Sequence, residues 1–324
     1  MPDVRKNFKT FTAAERKRFL DAVVELKTTK SPNPYRYNVT GTIYGDFVGI
    51  HVEAFEPGEM GHDTAVFLPW HRQYLRLFEG ALNATSVGRR GPRITLPYWD
   101  WTDHSVTPLT DDFLGGDGTG LLGQVQTGRF GVPNHELSQV LSAPTLSRLR
   151  EVGGWLELPE DEAAALFTEL AEGVTRAAKR FRGRIVERSV TERPFLSRNI
   201  GALGVDEPPT ATAVAATLAE QTYDTFEPTF ENGTHGEVHI FVGGNMAGAD
   251  SPNDVIFWMH HCNVDRLWAE WHALHPSADP YLPKEEVQDP DMGTIAGLKT
   301  LMTPWKTMRP VDVLKTVRLG YVYR

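Results

Sequence analysis

Hydrophobic residues near the start of the chain recur at helical spacing. In TAAERKRFLDAVVELK, the apolar side chains of Phe19, Val23 and Leu26 share one face of a helix. Thr12 and Glu15 stand at the spacing of a capping box at the start of this run. The pattern predicts a helix that begins after Thr12 and buries one face.

Two further helices are predicted before residue 90. The segment YGDFVGIHVEAF brings Phe47, His51 and Phe55 near each other on one helix. A third helix is expected from Trp70 to about Leu82, because Pro69 suits a first turn, where its missing N–H costs no hydrogen bond. Both helices would carry a histidine among apolar residues.

The second half of the chain contains two long helical patterns. DEAAALFTELAEGVTRAAKRFRGRIVERS predicts a charged helix over roughly residues 160–188. VIFWMHHCNVDRLWAEWHALH predicts another over residues 255–275, bounded by Pro252 and Pro276. Only the second of these contains histidines.

Residues 115–215 contain few histidines and many glycine, proline and charged residues. We interpret this region as a peripheral elaboration on a single catalytic domain that covers residues 1–324. A separate inserted domain is the less favoured alternative.

Composition and charge narrow the class of protein. The chain has 324 residues, of which 40% are hydrophobic and 23% charged, which is typical of globular proteins with a sizeable core. Its formal net charge of −9 argues against nucleic-acid binding, which needs clustered lysine and arginine. No run approaches the roughly 20 apolar residues of a membrane span. The amino terminus lacks the apolar core of a secretory signal, so cytoplasmic residence is expected, with export alongside a partner protein as the alternative.

The histidines that could bind a metal fall into two groups. The first is His51, His62 and His71, and the second is His235, His239, His260 and His261. The four-residue spacing of His235 and His239 puts both imidazoles on one helical face, although such a pair alone is as often a surface coincidence. His260 and His261 lie in the apolar half of a predicted helix, where two imidazoles are costly without partners.

The types of side chain available as ligands narrow the choice of metal ion. Cys262 is the only cysteine, so thiolate clusters and intrachain disulfides are excluded. Di-iron bundles carry Glu-x-x-His pairs, which neither group offers, and hydrolytic zinc often takes a carboxylate beside its histidines. Three neutral imidazoles per ion, twice over, favour a pair of copper ions. Copper(I) has the electrons to reduce dioxygen, so the residues indicate redox chemistry but leave the substrate open.

Several long motifs resemble one known family. GH and FLPWHRQYLRLFE, then LPYWDW, VHIFVGGNM, SPND, FWMHH and VDRLWAEW are similar, in this order, to the bacterial branch of the tyrosinase family of type-3 copper proteins. The resemblance implies a mainly α fold with long irregular connections, whose central four-helix bundle holds two coppers. It also implies oxidation of phenols, with dioxygen as co-substrate.

The resemblance assigns ligands residue by residue. One copper would be bound by His51, His62 and His71, and the other by His235, His239 and His261. In the bacterial relatives the last ligand is the second of two adjacent histidines, which favours His261 over His260. His260 would then support a ligand, and Phe257 matches a position whose ring packs at the copper site.

Other residues near these motifs are interpreted as structural. Trp99 and Trp101 are expected to fill the core, while Asp265 and Arg266 either orient the helix or form a solvated salt bridge. The histidines without partners at ligand spacing are treated as ordinary: His104, His135, His272 and His275. Residues 115–215 are therefore expected to supply no metal ligand.

One departure from the family bears on the reaction. Gly236 stands where many tyrosinases have an asparagine that, with a nearby glutamate, is thought to hold a water that deprotonates monophenols. Glu231 or Glu227 could be that glutamate, although either could simply cap or solvate a turn. Because glycine has no side chain to hold the water, weak hydroxylation of monophenols is expected.

Two other departures concern the metal site and its neighbours. Met60 and Gly61 precede His62, so the Cys–His thioether of some relatives cannot form. Val255 stands where relatives often have proline, which we expect to matter little.

The end of the chain also resembles the family. Tyr321 and Tyr323 match a tyrosine pair that packs near an amino-terminal arginine, which would be Arg5 here, and no shielding domain is expected after them. The small residues of segment 247–249 predict an open entrance.

The resulting hypothesis is an enzyme that oxidises ortho-diphenols or ortho-aminophenols to ortho-quinones or quinone imines. A full tyrosinase is the alternative within the same chemistry, and a haemocyanin-like oxygen carrier is the alternative from another class. The expected partner is a small phenolic or aminophenolic substrate, and a chaperone protein that delivers copper is a further candidate.

Overall fold

The computed structural model describes residues 2–38, 40–56, 59–119, 123–131, 143–152, 159, 161–162, 165, 196–289 and 293–324. Within these ranges the fold is mainly α-helical, as the resemblance implied. The helices are α1 (Ala13–Thr28), α2 (Ile43–Glu53), α3 (Phe67–Ala84), α4 (Ser86–Arg89), α5 (Ala143–Val152), α6 (Ala211–Leu218), α7 (Tyr223–Phe230), α8 (Gly236–Val242), α9 (Ile256–Leu274) and α10 (Pro310–Val313). The strands are β1 (Asp3–Arg5), β2 (Gly118–Thr119), β3 (Gln124–Val125), β4 (Val287–Asp289), β5 (Gly293–Ile295) and β6 (Tyr321–Tyr323). The helix predicted near 160–188 lies almost wholly outside the described residues.

Helix α1 begins with the predicted capping box. The Thr12 hydroxyl accepts from the Glu15 backbone N–H at 3.2 Å, and the Glu15 carboxylate accepts from the Thr12 N–H at 2.9 Å. Phe19, Val23 and Leu26 are buried on one face of the helix. Both predictions for this helix are confirmed.

Helix α3 begins three residues earlier than predicted. The Trp70 N–H donates to the Val66 carbonyl at 2.8 Å, so helical hydrogen bonding already starts at Val66. Pro69 becomes the third helical residue and still lies in the first turn, where N–H groups need no partner within the helix. The expectation that Pro69 lies in the first turn is confirmed, whereas the predicted start at Trp70 was wrong.

Four helical segments surround the two groups of histidines: α2, α3, α8 and α9. Helices α3 and α9 pack directly together, with the rings of Phe78 and Trp258 stacked at 3.6 Å between centroids. The Trp258 indole N–H donates to the Tyr44 hydroxyl of α2 at 2.9 Å. This apolar, aromatic packing holds the helices that carry the histidines.

The two ends of the chain meet beneath α9. Strands β1 and β6 pair in parallel, with Arg5 opposite Tyr323. The buried Arg5 guanidinium donates to Asp265 and to the Tyr323 hydroxyl, each at 3.1 Å, and lies 3.8 Å from the centre of the Tyr321 ring. The predicted contact between the tyrosine pair and Arg5 is therefore confirmed.

Asp265 orients α9, whereas Arg266 does not. The buried Asp265 carboxylate accepts hydrogen bonds from Arg5, Arg72, Tyr321 and Tyr323. Arg266 instead forms a surface pair with Glu270 at 2.9 Å. Adjacent residues on a helix point about 100° apart, so one side chain is buried and the next is solvated.

The described flanks of region 115–215 pack against the core. The buried Arg198 guanidinium donates to the Asp254 carboxylate at 2.7 and 2.8 Å and also to three backbone carbonyls of residues 114–116. Asp254 in turn accepts from the Ile256 N–H at the start of α9. The flank thereby supports the amino-terminal end of a helix that carries histidines.

The tryptophans and histidines that were interpreted as structural lie in the core or contact other protein groups. Trp99 and Trp101 are buried, as expected of core residues. His272 and His275 lie 3.2 and 2.8 Å from the backbone carbonyls of Pro280 and Leu218, and His104 lies 3.7 Å from Glu207. His135 lies outside the described residues. Within the described ranges, no helix has the length and apolar character needed to cross a membrane.

Candidate metal centre

The first histidine cluster joins two helices and a loop. His51 lies near the end of α2, His71 lies in α3, and His62 lies on the loop between them. The ring centroids are 4.8 Å apart for His51 and His62, 4.9 Å for His62 and His71, and 5.7 Å for His51 and His71. One nitrogen of each ring lies within 4.8 Å of the others, so the three could hold one ion.

The second cluster is built from the turn before α8, from α8 and from α9. His235 and His239 lie one turn apart, with 4.7 Å between ring centroids, as the four-residue spacing predicts. His260 and His261 come from α9, and nitrogens of all four rings lie within 4.8 Å of one another. The Nε2 atoms of His239 and His261 are 3.3 Å apart and therefore converge on one point.

A widened helical turn precedes α8 and sets the direction of His235. Residues 231–235 form a π-helical turn between α7 and α8. Nδ1 of His235 donates to the Glu231 carbonyl at 2.8 Å across this turn. Gly233 within this turn has a non-helical φ of −95° and ψ of −112°, so the chain kinks just before His235. Widened turns of this kind are frequent at functional sites.

Backbone carbonyls fix the tautomer of four of these histidines. Nδ1 lies 2.7 Å from the Ala249 oxygen in His51, 3.0 Å from the Phe67 oxygen in His71, 2.8 Å from the Glu231 oxygen in His235 and 2.6 Å from the Met246 oxygen in His239. A carbonyl can only accept, so Nδ1 carries the proton and Nε2 keeps a lone pair. The Nε2 atoms of His51, His71 and His235 are buried and have no hydrogen-bond partner among the described residues. Such orphaned lone pairs fit metal ions.

The electrostatics also favour neutral imidazoles. Burial lowers the pKa of His51 to about 3 and that of His239 to about 4, and it lowers the pKa of His62, His71 and His235 well below the usual range. Neighbouring histidines lower most of these values further. A metal ligand must be unprotonated, so the site is prepared for metal at neutral pH.

His260 and His261 have different neighbours within the same cluster. His261 stacks on His71 of the first cluster, with 4.2 Å between centroids and 10° between planes. His260 lies against His235 at 5.1 Å and against Trp101 at 4.9 Å, and neither of its ring nitrogens has a hydrogen-bond partner in the described part of the chain. Both rings stand at ligand distance, so the choice of His261 stays a prediction.

Phe257 lies where the resemblance placed it. Its ring centroid is 4.1 Å from that of His261 and 4.8 Å from that of His51. The ring is fully buried and contacts both clusters. The Phe257 ring therefore forms part of the apolar shell that keeps water away from the imidazoles.

A cavity of about 370 Å³ opens onto both clusters. It reaches His62 of the first cluster and His235 and His239 of the second, and Gly236 and Glu231 line its wall. The small residues of segment 247–249 also line it, in agreement with the predicted open entrance. Apolar side chains on the wall are Phe55, Val205, Ile240 and Met246.

The two candidate glutamates are placed differently. Glu231 lines the cavity, and its carboxylate accepts from the Asp63 backbone N–H at 2.9 Å. Glu227 is buried behind it and is not among the cavity residues. Burial raises the pKa of Glu227 to about 7, and burial together with Glu227 raises the pKa of Glu231 well above its usual range.

Gly236 has ordinary helical geometry. Its φ of −59° and ψ of −38° suit any residue, so glycine is not required for its conformation. A Cβ atom there would lie 3.3 Å from the Glu231 carbonyl oxygen, which would have to shift by a few tenths of an ångström. The position is therefore open to substitution.

Charge and aromatic features of the cavity were missed from the sequence. The acidic side chains on its described wall are Asp63, Glu231 and Glu237, and there is no lysine or arginine among the described lining residues. Phe55 stacks on His62 with 3.7 Å between centroids. The predicted helix placed Phe55 near His51, which was the available signal, but α2 ends at Glu53, and the contact with His62 was not foreseen.

Sequence comparison relates the chain to copper enzymes. Residues 41–274 match the family model of the common central domain of tyrosinase. The chain is 34% identical to the grixazone synthase of Streptomyces griseus subsp. griseus, over 100% of this chain and 99% of that protein. It is 33% identical to the tyrosinase of Streptomyces glaucescens, over 96% of this chain and 95% of that protein.

Solved structures share the architecture. A variant of the polyphenol oxidase from Thermothelomyces thermophila aligns with a TM-score of 0.65 at 21% identity, over 100% of this chain and 89% of that one. The tyrosinase from Burkholderia thailandensis aligns with a TM-score of 0.57 at 18% identity, over 100% of this chain and 74% of that one. At these identities the likeness bears on the fold alone.

Proposed function

Since the chain belongs to the bacterial tyrosinase family of dinuclear copper oxidoreductases, we propose that it uses dioxygen to oxidise ortho-diphenols or ortho-aminophenols. The products are ortho-quinones or quinone imines, and hydroxylation of monophenols is slow or absent. One observation carries the proposal: beside His235 the cavity wall offers the Glu231 carboxylate but no side chain at Gly236.

Two copper ions are the cofactors in this proposal. His51, His62 and His71 would hold one ion, and His235, His239 and His261 the other. The buried, unpartnered Nε2 atoms of His51, His71 and His235 fit these roles. Bound copper would supply the electron transfer between the phenol and dioxygen.

The chain itself binds and orients the substrate. Val205, Ile240 and Phe55 give the cavity an apolar wall against which an aromatic ring can pack. Phe257 and the other buried rings exclude water from the imidazoles. Oxidation of two diphenols releases four electrons and four protons, which convert one dioxygen to two waters.

Selection against monophenols follows from the missing amide. A monophenol must lose its proton inside the site, and a water held between a carboxylate and an amide could act as the base. Glu231 offers the carboxylate, but glycine at position 236 leaves the water without its second anchor. An ortho-diphenol or ortho-aminophenol is less affected, because its first proton is more easily lost.

The accessible cavity favours an enzyme over an oxygen carrier. A carrier of the haemocyanin kind must keep phenols away from its imidazoles. Here the cavity of about 370 Å³ reaches His62, His235 and His239. A full tyrosinase remains the alternative within the same chemistry.

Oxygen uptake on a substrate panel tests the proposal. The copper-loaded protein is given catechol, ortho-aminophenol and tyrosine, and the first two should be oxidised far faster than tyrosine. Equal turnover of tyrosine and catechol would favour the full tyrosinase, and oxygen binding without turnover would favour the carrier. Uptake of two coppers per chain from a copper salt alone would argue against a required chaperone.

A further inference from the structure

His62 is anchored differently from the other histidines of the first cluster. His51 and His71 project from helices α2 and α3, whereas His62 lies on the loop between those helices. A loop does not set the direction of a side chain as a helix does. Some other contact must therefore hold the His62 ring toward the cluster.

Hydrogen bonding holds the His62 ring less firmly than the rings of His51 and His71. Nδ1 of His51 and Nδ1 of His71 each bond to a backbone carbonyl, but the buried Nδ1 of His62 has no partner of normal geometry among the described residues. Nδ1 of His261 also lacks one, yet that ring projects from α9 and is stacked against His71 at 4.2 Å. His62 thus lacks a helix, and the Ala54 carbonyl offers its ring only a hydrogen-bond contact of poor geometry.

Phe55 provides the missing support. Its ring stacks on His62 with 3.7 Å between centroids and 19° between planes, and it also meets the edge of His51 at 5.3 Å. The Phe55 side chain is 47% exposed and lines the cavity, whereas the aromatic rings of Phe67 and Phe257 near the cluster are fully buried. The Phe55 ring is therefore not part of the buried core, and its closest aromatic contact is the His62 imidazole.

The loop before His62 packs closely against the end of α2. A Cβ on Gly61 would lie 2.6 Å from the Cβ of Ala54, the residue before Phe55. The end of α2 and the loop therefore touch at Ala54 and Gly61, and this contact brings the Phe55 and His62 rings together.

We propose that Phe55 is a positioning residue that holds the His62 imidazole toward the first copper. Non-covalent stacking by Phe55 would thereby replace the thioether that Met60 and Gly61 cannot form. The inference rests on the proposed function only in taking His62 as a copper ligand. Aromatic stacking of this kind is strong enough to change affinity by roughly three- to tenfold.

Copper release tests this inference. Copper-loaded wild type and Phe55→Ala are mixed with an excess of a copper chelator, and the release of the two coppers is followed separately. Phe55→Ala should lose one copper roughly three- to tenfold faster and leave the rate for the other unchanged. Phe55→Tyr and Phe55→Trp should restore slow release, whereas Phe55→Leu, which has bulk but no ring, should not.

A matched control and a second measurement exclude a general loss of structure. Leu301→Ala removes another apolar side chain of similar exposure, 48%, and should release copper as the wild type does. In the copper-free protein, NMR relaxation of the His62 ring should show increased motion in Phe55→Ala and not in Leu301→Ala.

The outcomes separate this inference from the proposed function. Release from Phe55→Ala at the wild-type rate, full rescue by Phe55→Leu, or equal acceleration of both coppers would overturn the role of Phe55. None of these results would affect the proposed oxidation of diphenols. A wild-type protein that holds two coppers and oxidises no diphenol would instead refute the proposed function and leave the role of Phe55 standing.

Discussion

His71 and His261 stack face to face, with 4.2 Å between ring centroids and 10° between planes. The contact joins α3 to α9 and therefore joins the two histidine clusters. One residue after His71, Arg72 is ion-paired with Asp265, which lies one turn after His261. Helices α3 and α9 are thus held together twice, by the stack of His71 on His261 and by the buried ion pair of Arg72 with Asp265.

His261→Ala should remove about half of the bound copper and nearly all activity, because His261 converges with His239 on one point. His260→Ala should mainly lower the free energy of unfolding, since its ring fills space between His235 and Trp101. Copper analysis of both purified variants checks this assignment. Loss of copper from the His260 variant together with retention in the His261 variant would reverse it.

Asp265→Asn should lower the free energy of unfolding by about 3–5 kcal/mol, because it leaves the buried Arg72 without its carboxylate and leaves Arg5 paired with Glu79 alone. The neighbouring variant Arg266→Gln is the control. It removes the pair with Glu270 and a hydrogen bond to Asn263 but leaves no buried charge unpaired, so it should cost only about 1 kcal/mol. Urea unfolding measures both, and similar losses in the two variants would contradict the central role of Asp265.

Glu227→Gln should change the pH dependence of stability in the copper-free protein. Burial raises the pKa of Glu227 to about 7, so the folded state favours the protonated form. Protonation of Glu227 therefore stabilises the folded state. This stabilisation is complete below the pKa of the carboxyl in the unfolded chain, near 4.5, and is lost as the pH rises through about 7.

The variant, which mimics the protonated group, should equal the wild type near pH 4.5 and exceed its stability at pH 8 by roughly 1–3 kcal/mol. Urea unfolding at the two pH values measures this difference. Asp224→Asn, an exposed change on the same helix, should show no such difference. A wild type that is more stable than Glu227→Gln at pH 8 would show that the ionised carboxylate is favoured.

Gly236→Asn should raise the rate of tyrosine hydroxylation and leave catechol oxidation within a few-fold. The helical φ of −59° accepts a side chain, and the amide would lie on the same cavity wall as Glu231. Gly236→Ala is the control, because it adds the same Cβ contact at 3.3 Å without the amide. The tyrosine-to-catechol turnover ratio should rise only with asparagine, and an equal rise with alanine would contradict this account.

Glu237→Gln should reduce the preference for cationic substrates. The described wall carries acidic groups and no lysine or arginine, so a catechol with an ammonium side chain should have a higher kcat/KM than one with a carboxylate. Removing one charge at a distance of several ångströms should lower that ratio roughly two- to fivefold. Glu285→Gln, an exposed change outside the cavity, is the control for net charge, and a wild-type preference for the carboxylate would refute the idea.

The sequence alone predicted the features that depend on short-range order. Helix α1 and its capping box, the location of α9 and the one-turn spacing of His235 and His239 all follow from residues a few positions apart. Helical periodicity and capping act within one or two turns, so they can be recognised in a linear pattern. The six proposed copper ligands came from the same spacing together with the family resemblance.

Other features were decided only by the tertiary structure. Whether Glu227 or Glu231 lines the cavity depends on a π-helical turn and on the loop around Asp63, more than 160 positions away in the chain. The burial of Asp265 depends on partners near both chain ends, such as Arg5 and Tyr321. The stack of Phe55 on His62 depends on how a loop folds back onto α2. Each is a contact between segments whose approach is set by the packing of the whole core, and no local pattern records that packing.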